Sequence, residues 1–243
     1  MKRGNSIALA WLFFAVLSPA QQVLSIAAAS DLAGVSKALA EAFEKQQGGK
    51  VKVRFTLGSS GILARQIENG APFDLFLCAN ERYVVDLARA GRIEGFTARA
   101  YASGVVGLWS LDGKITSLEA LTKARTIALA NPAHAPYGVA AKESLEKLDL
   151  WSRLKPKIVF GENVRQALQY AESGNADAVV TAWPLLIGKP GAVRIPLNLH
   201  QPIRQIGGIV KGSRQSGQAE AFLQFLTRGP GVAILETGGF QKP

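Results

Sequence analysis

An α/β fold of two lobes is predicted by three features of the sequence. Short apolar runs typical of buried strands alternate with segments whose apolar residues recur every three or four positions, as in helices. The 243 residues are 48% hydrophobic and 19% charged, which is ordinary for a packed globular chain and excludes a disordered one. The length also accommodates two lobes of roughly 100 residues each. Alternation of strands and helices favours parallel sheets with helices on their faces.

The first third of the chain shows this alternation most clearly. Residues 23–29 form an apolar run that predicts a buried strand, and a helical pattern follows over residues 32–43. Residues 51–57 alternate apolar and polar side chains, which predicts a half-exposed strand. The next predicted elements are a helix over 62–70, a strand over 74–78 and a helix over 81–90.

The rest of the chain repeats the pattern with less regular spacing. Predicted strands cover 104–110, 126–130, 157–160, 178–181, 193–195 and 203–210. Predicted helices cover 139–148, 164–173, a short piece near Pro184, 216–227 and 232–236. The last helices can pack on the first lobe only if the chain crosses twice between lobes, near 100–103 and near 193–201. We therefore predict lobe I over 21–101 plus 200–243, and lobe II over 102–199.

The N-terminus has the pattern of a secretory signal peptide over residues 1–20. Basic residues at positions 2 and 3 precede an apolar run over 7–17, and small residues lead to a predicted cleavage after Ala20. The alternative is a membrane anchor, but a membrane span needs roughly 20 apolar residues, and this run is shorter. Because Cys78 is the only cysteine, no lipidated cysteine can follow the signal. We expect a free periplasmic protein after cleavage.

Charge and cysteine content exclude several classes of function. The formal charge of +10 is spread along the chain, whereas nucleic-acid-binding proteins usually concentrate basic residues on one face. We therefore expect no nucleic-acid partner. A single cysteine excludes a disulfide framework and cysteine-rich metal sites, and two histidines leave little for a histidine cage. We interpret Cys78, which lies in an apolar strand, as a small buried hydrophobic residue.

Hydrolase and nucleotide-binding motifs do not occur in this sequence. The turn at residues 58–61 lacks the Gly-x-Ser-x-Gly spacing of a nucleophile elbow, and His134 lies in a proline-rich loop typical of a surface imidazole. Neither a phosphate-binding Walker loop nor a Gly-x-Gly-x-x-Gly fingerprint is present. The sequence therefore gives no support to serine hydrolysis or nucleotide chemistry.

Two serine-containing turns instead predict an anion site. Ser30 follows the first predicted strand, Ser60 follows the second, and each precedes a predicted helix. Such turns cluster at the carboxyl edge of an open α/β sheet, where ligands bind. The first N–H groups of a helix lack intrahelical partners, and serine adds a hydroxyl donor. Serine is also a common helix cap, so the interpretation depends on the two turns being neighbours.

Several segments resemble the periplasmic molybdate-binding proteins of ABC importers. The resemblance extends from about residue 23 to the C-terminus and is most specific in the Ser-Ser-Gly-Ile-Leu-Ala-Arg-Gln-Ile stretch. The segments that carry it are Ala-Ala-Ala-Ser-Asp-Leu at 27–32, residues 58–72, Asp-Leu-Phe at 74–76, Asn-Pro-Ala-His-Ala-Pro-Tyr-Gly at 131–138, Ala-Lys-Glu at 141–143 and Glu-Asn-Val-Arg-Gln-Ala-Leu at 162–168.

The resemblance implies a type II periplasmic-binding-protein fold with two α/β lobes, a hinge and a double crossover. It implies that the lobes close on molybdate, or tungstate, and that the protein delivers this ion to an inner-membrane ABC permease. Four residues would contact the molybdate oxygens: Ser30 and Ser60 through hydroxyl and backbone N–H groups, and Tyr137 and Val164 through backbone N–H groups. We expect a monomer that has no cofactor and no catalytic activity.

One position departs from the family pattern. Well-known members supply a fifth contact from a tyrosine hydroxyl at the position that aligns with Ala182, and this sequence has no tyrosine there. Thr181 and Tyr137 are the candidate substitutes. Asp31 lies next to Ser30, and we interpret it as a favourable acidic residue in a first helical turn rather than as a ligand contact.

A site of neutral donors suits a fully ionised dianion, because such an ion has only acceptor oxygens. Phosphate near neutral pH keeps a proton, which would be left without a partner at a cost of roughly 1–3 kcal/mol. Alternatives are a receptor for sulfate, thiosulfate or a phosphonate, and an exported small-acid dehydratase on the same scaffold. A dehydratase needs a general acid or base, for which Asp31, Glu162 and His134 are the candidates.

Overall fold

The computed structural model describes residues 21–243. The predicted signal peptide over residues 1–20 and its cleavage site after Ala20 lie outside the described residues. Ten strands are present in this part of the chain: β1 Gln22–Ala29, β2 Val51–Gly58, β3 Leu75–Cys78, β4 Arg99–Gly104, β5 Val106–Ser110, β6 Ile127–Ala130, β7 Ile158–Gly161, β8 Ala178–Ala182, β9 Val193–Arg194 and β10 Ile203–Ile209. Eight α-helices accompany them: α1 Ser36–Gln46, α2 Ser60–Glu68, α3 Glu81–Arg89, α4 Pro136–Lys147, α5 Trp151–Leu154, α6 Val164–Glu172, α7 Ser216–Arg228 and α8 Gly231–Thr237. None of the helices over residues 21–243 has the length and apolar character that a membrane crossing requires.

The strands form two mixed sheets, one in each lobe. The sheet of lobe I has the order β2-β1-β3-β10-β4, and that of lobe II has the order β7-β6-β8-β5-β9. In both sheets the first three strands of this order run parallel, and the fourth is antiparallel to its neighbours. The predicted α/β fold of two lobes with a double crossover is therefore confirmed.

The chain changes sheets slightly later than the sequence predicted. β4, which we did not predict as a separate strand, lies in the sheet of lobe I through Gly104, and β5 starts lobe II at Val106. The chain therefore passes from one sheet to the other at Val105, just beyond the crossing predicted near 100–103. A continuous run of small and apolar residues hides the single residue, Val105, at which the chain leaves one sheet for the other.

The first predicted helix begins later than expected. Residues Ser30–Gly34 form a 3-10 turn, and the α-helix that follows begins at Ser36. Ser30 therefore opens a short turn and not the α-helix that we predicted. Apolar positions 32, 35 and 39 continue through both segments, which explains why the periodicity did not separate them.

Apolar packing holds helices on both sheets. In lobe I, the rings of Phe43 and Phe222 meet edge-on with centroids 4.9 Å apart, and this pair joins α1 to α7. This contact shows how the C-terminal helices return to lobe I.

Cys78 is fully buried in β3, and burial raises the pKa of its thiol to about 12. The interpretation of Cys78 as a buried hydrophobic residue is confirmed.

Candidate functional site

In lobe I, strand register brings the two predicted serine turns together. β1 and β2 are parallel neighbours, and their last residues, Ala29 and Gly58, are paired. Ser30 therefore leaves the sheet beside the start of α2, where Ser60 is the first helical residue. Both serines are buried, with 3% and 0% of their surface exposed.

Lobe II repeats this arrangement with different residues. β6 and β7 are also parallel, and their last residues, Ala130 and Gly161, are paired. The helices that follow, α4 and α6, begin at Pro136 and Val164. The first N–H groups of a helix have no intrahelical acceptors, so those that no cap or turn satisfies are available as donors to a ligand at this edge.

The edges of the two lobes enclose a small cavity of about 10 Å³. Its walls are the residues that end the strands and begin the helices of both lobes. They are Ala29, Ser30, Asp31, Gly58, Ser59, Ser60, Ala79, Ala135, Pro136, Tyr137, Asn163 and Val164. A cavity of this volume has room for roughly one water-sized group in the closed arrangement.

Lobe I places two serine hydroxyl groups at this cavity, and they differ in their hydrogen bonding. The Ser30 Oγ is buried and has no hydrogen-bond partner within residues 21–243. The Ser60 Oγ accepts a hydrogen bond from the Ala79 N–H at 3.2 Å, which leaves its own proton available. An unpaired buried hydroxyl costs free energy, so both groups gain from a ligand that accepts hydrogen bonds.

Lobe II offers backbone donors at the same cavity. Tyr137 follows Pro136, which has no N–H, so the Tyr137 N–H is the first donor of α4, and no side chain caps this helix. At α6, the Asn163 side chain accepts hydrogen bonds from the N–H groups of Arg165 and Gln166. This cap leaves the Val164 N–H free to face the cavity that Val164 lines.

A buried polar network lies on the inner wall of the cavity. Asp31, only 1% exposed, accepts a hydrogen bond through Oδ2 from the Gln205 side chain. Gln205 also donates to the Tyr137 hydroxyl at 3.4 Å and accepts from the Tyr101 hydroxyl at 3.0 Å. Burial raises the pKa of Asp31 to about 6, against the lowering effect of hydrogen bonds from Tyr137 and Gln205.

The rim of the cavity carries a second contact between lobes. The Ser59 hydroxyl donates to the His134 carbonyl oxygen at 2.9 Å and lies 2.8 Å from His134 Nδ1. The Gly61 N–H donates to the same carbonyl oxygen at 2.9 Å. Burial lowers the pKa of His134, the nearby Arg65 guanidinium lowers it further, and Glu162 opposes both effects. This ring therefore favours its neutral form near neutral pH.

The structure brings four of the six predicted ligand residues to the cavity: Ser30, Ser60, Tyr137 and Val164. Thr181 and Ala182 are fully buried in β8 and do not line it. The Thr181 hydroxyl instead donates to the Val164 carbonyl oxygen at 3.0 Å. Thr181 thus supports the start of α6 from behind.

The sequence did not predict that lobe I also places a carboxyl group at the cavity. The sequence predicts only a helix-dipole role for Asp31, yet this residue lines the cavity and belongs to a network that spans both lobes. Its position directly after Ser30 was the available signal. Glu162, a candidate acid for an enzyme, is exposed and is not among the lining residues. Within residues 21–243, no cluster of three or more His, Cys, Asp or Glu side chains could hold a metal ion.

Known proteins resemble this chain along nearly its whole length. The family described as bacterial extracellular solute-binding protein matches residues 24–241. The molybdate-binding protein ModA of Rhodobacter capsulatus is 31% identical over 98% of this chain and 96% of its own. That of Escherichia coli is 30% identical over 97% of this chain and 96% of its own.

The solved structures agree with the sequence comparisons. The periplasmic molybdate-binding protein of Azotobacter vinelandii superimposes with a TM-score of 0.84 at 31% identity, covering 90% of this chain and 99% of that one. This match confirms the type II solute-binding fold and the resemblance that the sequence motifs indicated. With the family match over residues 24–241, it shows that the chain belongs to the family of bacterial extracellular solute-binding proteins.

Proposed function

We propose that this protein is the periplasmic receptor of a molybdate importer. It binds molybdate between its lobes and delivers the ion to an ABC permease in the inner membrane. The observation that carries this proposal is the closed cavity at which Ser30, Ser60 and the starts of α4 and α6 converge. Relatives that cover nearly the full chain are named molybdate-binding proteins, which supports the same ligand.

The donor set explains how such a site would hold a dianion. Hydroxyl and backbone N–H groups donate to the oxygens, and two helix N-termini add partial positive charge without a cationic side chain. Molybdate and tungstate present the same charge and geometry, so we propose that the site binds both. Sulfate is an alternative ligand because it differs from them mainly in size.

An enzymatic role has weaker support. A small-acid dehydratase needs an acid or base facing its substrate, and of the three candidates only Asp31 lines the cavity. His134 is hydrogen-bonded to Ser59 at the rim, and Glu162 is exposed and does not line the cavity. We therefore propose a binding protein without catalytic activity, which acts as a monomer and is exported after cleavage near Ala20.

Thermal unfolding with a panel of anions tests this function. We expect millimolar molybdate and tungstate to raise the melting temperature of the mature chain, with smaller shifts for sulfate and none for phosphate. Occupancy at a hundred times the dissociation constant adds about 2.7 kcal/mol to the free energy of unfolding. An unchanged melting temperature with both molybdate and tungstate would refute the proposal, and a larger shift with sulfate would reassign the ligand.

A further inference from the structure

The Asp31 carboxyl is the one acidic group among the residues that line the cavity. It is 1% exposed, and its Oδ1 has no hydrogen-bond partner within residues 21–243, whereas Oδ2 accepts from Gln205. An ionised carboxylate has only acceptor oxygens, as does a dianion. Two such groups at one small cavity repel each other and leave Oδ1 without a donor.

A proton on Asp31 removes this conflict. A protonated carboxyl has one O–H donor, and Oδ1 is the oxygen that is free to carry it. Resting on the proposed anion-binding function, we propose that Asp31 is protonated in the closed complex and donates to the bound dianion. Each dianion would then be bound together with one proton, taken from solvent by the Asp31 carboxylate. Asp31 would supply the side-chain donor that the absence of a tyrosine at Ala182 leaves missing.

In the buried network around Asp31, the other groups stay neutral near neutral pH, so Asp31 is the group that can gain or lose a proton. Burial raises the pKa of the Tyr137 and Tyr101 hydroxyls well above their usual value, and that of the Cys78 thiol to about 12, so all three stay neutral. Gln205 carries no charge. Within residues 21–243, no lysine, arginine or histidine contributes to the pKa shift of Asp31. The carboxylate is therefore not neutralised by a cation.

His134 is the other group near the cavity whose charge can change in this range. It lies at the rim, on the Ser59 hydroxyl, with Arg65 and Glu162 as its charged neighbours. Its protonation would also favour anion binding at low pH. A test of the proposal must therefore separate Asp31 from His134.

Isothermal titration with sodium molybdate at pH 6, 7 and 8 provides that test. For the unmodified mature chain we expect Kd to rise with pH, at most about tenfold per pH unit, which is the limit for one linked proton. Titrations in two buffers with different ionisation enthalpies should show uptake of up to one proton per anion. Asp31→Asn should remove the pH slope, and His134→Asn should keep it.

Each outcome decides the proposal. Molybdate binding with a constant Kd and no buffer-dependent heat would overturn it, and this measurement needs no variant. A slope that survives in Asp31→Asn and disappears in His134→Asn would also overturn it. Phosphate binding as tight as molybdate binding, and lost in Asp31→Asn, would make Asp31 an acceptor instead of a donor. Absence of molybdate binding at every pH would refute the proposed function itself.

Discussion

The two lobes build the same edge from the same topology but equip it differently. In lobe I the paired strand ends are Ala29 and Gly58, and in lobe II they are Ala130 and Gly161. After these ends, lobe I presents side chains with hydroxyl and carboxyl groups. Lobe II presents two helix starts whose lining residues, Tyr137 and Val164, offer backbone N–H groups.

This difference separates two ways of making a donor. A hydroxyl donor depends on the residue type, and an amide donor depends on where the helix begins. Substitutions in lobe I should therefore act on affinity directly. Substitutions in lobe II should act mainly by moving the helix start or by removing the N–H itself.

A substitution at Gly138 should have the largest effect, and it tests whether lobe II depends on where its helices begin. A Cβ at this position would collide with the Ala130 carbonyl group and approach Pro132, both of which belong to the backbone before α4. Overpacking of this kind costs about 3 kcal/mol, so we expect Gly138→Ala to lower the free energy of unfolding by that amount and to weaken molybdate binding. Urea unfolding and calorimetry measure the two effects.

Gly217 provides the matched control, because a Cβ there would meet open space in α7. Gly217→Ala should stabilise the fold by up to roughly 1 kcal/mol and leave affinity unchanged. If Gly138→Ala were as stable as Gly217→Ala, the packing of α4 against the end of β6 would not fix this helix start.

Two aspartates, one in each lobe, should respond to pH in opposite directions. The pKa of Asp31 is raised from 3.8 to about 6, so its stabilising contribution is present below pH 4 and is lost as pH rises to 6. This loss amounts to about 3 kcal/mol. Backbone N–H groups of Arg125 and Thr126 hold the pKa of Asp177 below its usual value, so its contribution is lost as pH falls.

Urea unfolding between pH 3 and 7 checks this contrast against Asp31→Asn and Asp177→Asn. Relative to the unmodified chain, Asp31→Asn should gain stability as pH rises from 4 to 6. Asp177→Asn should be less stable than the unmodified chain near pH 7, and this difference in the free energy of unfolding should shrink as the pH falls. Parallel curves for Asp31→Asn and the unmodified chain would mean that Asp31 is not a buried acid in the free protein.

Much of this arrangement could be predicted from the sequence, for identifiable reasons. Strand β1 is an unbroken apolar run, so its end at Ser30 was visible, and the motifs around Ser60 and Val164 marked the other turns. The buried position of Asp31 at the cavity could not be predicted, because Gln205, the partner of its carboxyl group, lies 174 positions later in the chain. Thr181 was assigned a donor role toward the ligand, because the sequence does not show that its hydroxyl contacts the Val164 carbonyl group.

Val164→Pro removes one amide donor with little other change. Val164 is the first residue of α6, where proline is well tolerated, and Asn163 before it already has the extended backbone that proline requires. We expect affinity for molybdate to fall by about 1.5–3 kcal/mol, the range for a hydrogen bond to a charged partner. Calorimetry should give a similar loss for the lobe I hydroxyl in Ser60→Ala.

Val164→Ala is the control for this pair, because it keeps the N–H and removes only buried methyl groups. It should lower the free energy of unfolding by about 1.5 kcal/mol and leave molybdate affinity unchanged. A weakened affinity in Val164→Ala would show that the side chain, and not the amide, makes the contact. The distinction between side-chain donors in lobe I and backbone donors in lobe II would then be wrong.

The Tyr137 hydroxyl is the one lobe II side-chain group that joins the lobe I network, and its removal should have the smallest effect. In Tyr137→Phe the N–H donor remains, while the hydrogen bond that Gln205 donates to the Tyr137 hydroxyl across the cleft is lost. One neutral hydrogen bond contributes about 1 kcal/mol, so we expect affinity to fall about fivefold through weaker closure.

Tyr101→Phe is the matched control, because its hydroxyl is equally buried and donates to the same Gln205 from within lobe I. It should lower the free energy of unfolding without changing affinity. Calorimetry with molybdate separates the two variants. Equal losses of affinity in Tyr137→Phe and Tyr101→Phe would mean that both hydroxyls act only by positioning Gln205 against Asp31. A loss confined to Tyr137→Phe would mean that the hydroxyl links the lobes, because, of the two tyrosine hydrogen bonds compared, only that of Tyr137 joins one lobe to the other.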